Sequence, residues 1–438
     1  MDPRNTAVNL RLSLNGRTAA YQAPSPGFVR RSSECIRRLV NHRLWLLPRL
    51  AQVRTEGLMP APPKAGMLHS SGQLQRAAVI HQGEHMLKRA APRLVSFAGF
   101  IFAIATLAGG ALAQQVAPVP KLKPTPVEAV QQVAKDAAEF EFLGALARTC
   151  FLPPSRSEDF RDIPAPYVSD PSKAPPRSSW YAEPAKVFDN LYFVGGKIHS
   201  AWALTTREGI ILFDTIYPYN SEELIIGGMR KVGLDPKDIK YLIVSHAHQD
   251  HIGGAEMIQK RYNPRVVMSG PDWDLVEKVP NRFKTMAPKR DIVATDGMKL
   301  TLGDSTVNLW FTPGHTDGTL SFTFQVLDRG RPVNLVYSGG TALVYEYTQP
   351  EWGIKNMQTY INSQRHVATK AKEFGATVLI SNHSEFDNAY NKNRMLAGRG
   401  NGPHPYEIGP DWIQRYFTVT ENCARATQIK LEQQPAAR

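Results

Sequence analysis

The stretch SHAHQDHIGG, Ser245 to Gly254, sets three histidines and an aspartate within the six positions His246 to His251, directly behind the apolar run Tyr241 to Val244. Such crowding makes a poor core, because each polar group must be taken out of water and then partnered. A metal ion rewards it. Neutral imidazole and carboxylate are the ligands zinc takes in open catalytic sites, at about 2.0–2.2 Å. On an extended loop His246 and His248, two apart, point to the same side. Asp250 and His251 stand where the chain turns into a helix and can face a second centre.

Two zinc ions need more ligands than this loop carries, and the chain offers them. TPGHTDGT puts His315 just after an apolar run ending at Phe311, and LISNHSEFDN puts His383 just after one ending at Ile380. If the three strand ends converge on one edge, His246, His248 and His315 serve one metal, and Asp250, His251 and His383 the other. A lone strand-end histidine is more often a hydrogen-bonded surface residue, and His199, His366 and His404 are assigned to that class. Asp214, at the end of another apolar run, either supports the ligand loop, since ligating imidazoles need a partner for their second nitrogen, or merely caps its strand.

These residues need elements to position them. Alternation and β-branched content predict strands over 186–194, 201–206, 209–214, 240–245, 265–269, 299–302, 306–311, 320–327, 333–337 and 377–380. Helical spacing predicts helices over 126–148, 221–232, 253–262, 357–374 and 410–430. Early strands read as hairpins and later ones are separated by helices, an α/β (α+β) order that two mixed sheets covered by helices would satisfy. The metal loop then lies at the C-terminal edge of a sheet, where open sheets carry their ligand sites. Tyr217, Trp273, Tyr345 and Tyr347 fall on loops able to wall a cleft there, or to serve as packing.

Composition along the chain is uneven. Residues 1–85 carry +8 of the formal +13 and show little periodicity, so they read as an unstructured extension. From Met86 a basic MLKRAAPR, an apolar run and the small-residue ALA before Gln114 make a signal peptide over 86–113. A start at Met86, with the first 85 residues an over-extended gene prediction, explains its odd position. The other reading, a single transmembrane anchor, asks for about 20 apolar residues, more than the run provides. Residues 86–113 hold another +3, which leaves +2 for the mature chain, and no basic stripe survives to bind nucleic acid. The expected partner is a small-molecule substrate, with no membrane contact after cleavage, in the periplasm or outside the cell. Residues 114–179 read as a Pro-rich spacer plus a helix, and 180–432 as one compact domain. Cys150 and Cys423 remain, either paired, as an oxidising compartment allows, or as two buried thiols.

The HxHxDH loop, the GHT turn and the SNH segment together resemble the metallo-β-lactamase superfamily over about 180–426, and the ligand set is most similar to its subclass B3. WYAEPAKVFDNLYFVGG from Trp180, LFDT ending at Thr215 and the hairpin strand RPVNLVYSGG from Arg331 support the resemblance. It implies a four-layer αβ/βα sandwich with a dizinc site between its halves, and an exported hydrolase that opens the β-lactam ring by attack of a zinc-bound hydroxide oriented by Asp250. Where that subclass has an acid and serines, this chain has Ser338, Gly339, Gly340 and Thr341, so Ser338, Thr341 and Tyr217 become the candidate substrate contacts. The absence of an aspartate at Gly339 or Gly340 counts against relatives that bridge both zincs with one, such as glyoxalase II and many lactonases. A lactone, ester or amide hydrolase, or a non-catalytic metal-binding protein, are the alternatives.

Overall fold

The computed structural model describes residues 13–14, 17–18, 123–154 and 161–434. It divides into two units, 1–111 and 112–438. Of the first, the described part is a two-residue antiparallel pair, Ser13–Leu14 with Arg17–Thr18, a pairing absent from the expectation for that stretch. The expected signal peptide at 86–113 lies outside the described residues. Among the described residues no helix is long and apolar enough to cross a membrane.

The second unit begins with helix α1 (Pro126–Ala138). Thr125 caps it reciprocally with Glu128, and a proline stands in the first turn. The predicted helix ran on to 148, but Glu139 takes a positive φ of 42° and breaks it. The chain resumes in a short helix Leu143–Leu146 and a π-turn Ala147–Phe151.

Seven strands follow in sequential order in one sheet: β1 (Ala185–Lys186), β2 (Leu191–Phe193), β3 (Trp202–Thr206), β4 (Gly209–Phe213), β5 (Ile239–Ile243), β6 (Arg265–Ser269) and β7 (Ile292–Ala294). The first four pair antiparallel and the last four parallel. Helices α2 (Ala255–Tyr262) and α3 (Gly270–Lys278) belong to the parallel half. A second sheet of five strands comprises β8 (Lys299–Leu302), β9 (Ser305–Phe311), β10 (Leu320–Asp328), β11 (Arg331–Ser338) and β12 (Val378–Ser381), antiparallel except for β11 with β12. Helices α4 (Pro350–Glu373), α5 (Ala389–Leu396) and α6 (Pro410–Glu432) complete the unit. Strand β7 and helices α3 and α5 were not foreseen, and the strand expected over 186–194 is interrupted between Lys186 and Leu191.

Alternation on the strands explains the layers. Phe213, Ile243 and Val267 from the first sheet share one core with Leu309, Phe322, Leu335 and Ile380 from the second. Their sequence neighbours Leu212, Leu242 and Met268 turn the other way, onto Ile258 and Trp273 of the helices. On the far side of the second sheet Val336 and Leu379 meet α1, α4 and α6 through Ala134, Val367 and Tyr416. The result is a helix–sheet–sheet–helix sandwich, the architecture expected. Cys150 and Cys423 form a disulfide with Cα atoms 4.7 Å apart, which ties the π-turn to α6 and decides between the two readings of these cysteines.

Candidate metal centre

The loops that leave β4, β5, β9, β11 and β12 meet at one edge of the sandwich. Strand β5 hands over to Val244 and Ser245, and His246, His248 and His251 follow, all buried. Gly253 and Gly254 come next for a steric reason. A Cβ on Gly253 would meet the Ile216 carbonyl, and one on Gly254 would meet the Ser221 hydroxyl.

His246, His248 and His315 close a triangle of ring nitrogens. His246 Nε2 stands 3.1 Å from His248 Nδ1, which stands 3.0 Å from His315 Nε2, itself 3.0 Å from His246 Nε2. The outer nitrogens set the tautomers. Nδ1 of His246 lies 2.9 Å from the Gly339 carbonyl and Nδ1 of His315 lies 2.6 Å from the Ala342 carbonyl. A carbonyl can only accept, so both Nδ1 atoms carry the proton, and both Nε2 atoms aim bare lone pairs at each other. That arrangement repels unless a cation sits at its focus. A tetrahedral centre with bonds of about 2.0–2.1 Å sets its nitrogens roughly 3.3 Å apart, near what is found, so the residues fit a metal.

A second triangle adjoins it. Asp250 Oδ2 lies 3.2 Å from His251 Nε2 and 3.1 Å from His383 Nε2, and the two nitrogens are 3.2 Å apart. The outer Nδ1 of His251 meets Asp214 Oδ2 at 3.1 Å, so His251 also turns its Nε2 inward. Asp214 does more than cap β4. Fully buried and at a φ of 57°, it also accepts the Ser245 N–H at 2.6 Å and the Tyr337 hydroxyl at 2.7 Å.

Electrostatics follow burial. Desolvation holds His246 and His248 well below the ordinary imidazole range, and His315 at about 4, so these rings are neutral near pH 7 as ligands must be. Burial also works against a charged His251, but Asp250 and Asp214 outweigh it and hold that ring at about 10. Burial likewise pushes Asp272 up to about 7. This aspartate, on α3, accepts from Ala247 N at 2.9 Å and from the Thr316 hydroxyl at 3.1 Å, so it clamps the loop of His246 and His248 to that of His315. Nothing in the sequence singled it out, because its helix was not foreseen.

The clusters open into a cleft of about 370 Å³ lined by Arg148, Ile198, His199, Tyr217, His248, Gln249, Asp250, Arg282, His315, Ala342, His383 and Glu385. Tyr217 stands where expected. Ser338 and Thr341 do not: both are buried and bonded to the Tyr416 hydroxyl of α6, not turned to the cleft. Trp273 is in the core, donating to the Ile292 carbonyl, while Tyr345 is buried with Leu431 and Met357. Of the histidines assigned to the surface, His199 lines the cleft, and His404 is buried with its ring stacked 4.0 Å from that of Phe188. His366 is half-buried and reaches Asp296. Arg148 and Arg282 were missed altogether.

Residues 194–328 match the family described as the Metallo-beta-lactamase superfamily. Among curated proteins, the hydroxyacylglutathione hydrolase of Rhodopseudomonas palustris is 29% identical over 126 residues, 29% of this chain and 44% of that protein. The N-acyl homoserine lactonase AttM of Agrobacterium fabrum is 26% identical over 183 residues, 38% of this chain and 66% of that protein. The chain thus spans about half to two thirds of the length of these relatives. Among solved structures, the native metallo-beta-lactamase of Legionella gormanii superposes with a TM-score of 0.50 at 23% identity, covering 58% of this chain and 98% of that one. A Cronobacter sakazakii metallo-beta-lactamase does so at 0.50 and 22% identity, covering 60% and 96%. These likenesses concern the fold.

Proposed function

We propose that this chain, whose residues 194–328 match the metallo-β-lactamase superfamily, is an exported dizinc hydrolase whose substrates are β-lactam antibiotics. The observation that carries the reading is the pair of adjoining three-donor clusters, His246, His248 and His315 beside Asp250, His251 and His383, opening into one cleft. Bound zinc would supply a Lewis acid and bring the pKa of water from about 15.7 to about 7.

The chain's own residues do the rest. The Gly339 and Ala342 carbonyls and the Asp214 carboxylate fix the imidazole tautomers. Asp250, at the junction of the clusters and facing the cleft, orients the attacking water. Arg148 and Arg282 border the same cleft and suit the carboxylate that a β-lactam carries. They fill the part first assigned to Ser338 and Thr341. The Cys150–Cys423 disulfide supports export to an oxidising compartment such as the periplasm.

A lactone or other ester is the second reading, favoured by the lactonases and hydroxyacylglutathione hydrolases among the relatives. Against it stands the backbone at Gly339 and Gly340. A Cβ at 339 would collide with the Leu320 carbonyl, and one at 340 would come within 2.7 Å of His315 Cβ. No bridging carboxylate fits at either position. A panel of a penicillin, a cephalosporin, a carbapenem, an acyl-homoserine lactone and a simple aryl ester separates the readings. Chelator-sensitive turnover of the β-lactams at roughly 10⁴ M⁻¹s⁻¹ or more, with the lactone slower, is expected. Preference for the lactone reverses the assignment.

A further inference from the structure

His199 does not behave as a bystander. Its Nε2 lies 3.5 Å from Oδ2 of Asp250, the same oxygen that His251 and His383 approach. Donor atoms of His199, Asp250 and His383 all fall within 4.8 Å of one another. The backbone enforces this. His199 and His383 form an isolated antiparallel bridge, flanked by bonds from Ser200 N to the Asn382 carbonyl at 2.8 Å and from Ser384 N to the Ile198 carbonyl at 2.6 Å. The Tyr217 ring meets the imidazole edge-on at 4.8 Å and limits its rotation.

We propose that His199 is a fourth protein donor at the Asp250, His251 and His383 position. The inference rests on the two-metal reading above. A distance of 3.5 Å is long for a hydrogen bond to Asp250, but it is in keeping with two donors that share one ion. Four protein donors make a closed tetrahedral site, whereas three leave a position open to water. The His246, His248 and His315 position is then the one that holds exchangeable water, and the other serves mainly to anchor and orient. In this arrangement the two positions differ in role because they differ in donor number.

The test loads the full-length protein with zinc and with cobalt(II), alongside His199→Ala and His199→Cys, and measures each ion's affinity by competition with a chromophoric chelator. His199→Ala should weaken one of two bound ions by about tenfold to a hundredfold and leave the other unchanged, with far-UV circular dichroism unaltered. His199→Cys loaded with cobalt should gain a thiolate-to-cobalt charge-transfer band that the wild type and His199→Ala lack, a positive signal that only a folded site gives. Two ions bound with affinities indifferent to His199, and no such band in the cysteine variant, would overturn the inference while leaving the two-metal reading intact. A wild-type chain that takes up no second ion would overturn both.

Discussion

The carboxylate of Asp214 lies 3.1 Å from Nδ1 of His251, and this contact decides which nitrogen of the ring faces Asp250 and His383. The same carboxylate accepts from Ser245 and Tyr337, so it joins β4, β5 and β11 beneath the site. Asp214→Asn offers an amide that can present N–H to a ring needing an acceptor. Affinity for the ion at the Asp250, His251 and His383 position should fall about 10- to 100-fold, while that at the three-histidine position changes little. Chelator competition on the variant measures both, and equal weakening at the two positions would contradict this division of labour.

Gly339 is fixed by sterics, since its Cβ would run into the Leu320 carbonyl. Gly339→Ala should cost about 1–3 kcal/mol of stability, read from the urea midpoint with the slope unchanged. A variant as stable as the wild type would show that the start of β10 and the end of β11 can part there without cost.

Stability of the metal-free protein should depend on pH in one direction. An unfolded imidazole takes a proton near pH 6.5, to within about a unit, whereas folded His315 waits until about 4, and buried His246 and His248 shift the same way. Between these limits the unfolded chain binds more protons, so folding weakens as pH falls. His251 does not reverse the sign. Held at about 10, it is already charged in the folded chain below about 6.5, where its contribution is complete and adds no slope. Asp272 and Asp387, both raised to about 7 by burial, pull the other way, but His199, lowered to about 3, joins the imidazole side and the four rings outnumber the two carboxyls. The melting temperature after chelation should therefore drop from about pH 6.5 to about pH 4, and a level profile would count against the buried rings as the cause.

Substrate charge should be read by the two arginines at the cleft. Arg148→Gln and Arg282→Gln should each raise KM about tenfold for a β-lactam bearing a free carboxylate, the scale of one charge-assisted hydrogen bond. An esterified analogue of the same compound should respond far less. Equal losses on both compounds would assign the arginines to structure.

The disulfide closes a sequence separation of 273 residues between the π-turn and α6. Cys150→Ala with Cys423→Ala should lower stability by about 2–5 kcal/mol. Because Arg148 sits in that same π-turn, the double variant should also raise KM for the carboxylate substrate. Unchanged KM with lowered stability would separate the two effects.

How much of this was written in the sequence depends on distance along the chain. The six proposed ligands could be read because each follows a strand that alternation makes visible, and because HxHxDH is local. His199 was misread, since its partner lies across a bridge to residue 383 that no spacing announces. Arg148 fell at the end of the helix predicted over 126–148, and the break at Glu139 that carries it into a π-turn at the cleft was not foreseen, while Arg282 reaches the cleft from an irregular loop, where periodicity carries no signal. Ser338 was within reach of the argument. On β11 Val333, Leu335 and Tyr337 face the inter-sheet core and Val336 faces the helices, so alternation sends the next residue with Val336, toward Tyr416. Helix α3 was missed, and Asp272 with it, although Pro271 stands in its first turn, a position that suits proline.

The most direct test of the central claim is a zinc titration of the metal-depleted protein, with bound zinc counted and penicillin hydrolysis followed in the same samples. Hydrolysis should appear with the added metal, two zincs should bind per chain at saturation, and His248→Ala should lose turnover by about a hundredfold or more at equal zinc. Turnover that persists after chelation, or that survives in His248→Ala at the wild-type rate, would contradict the account.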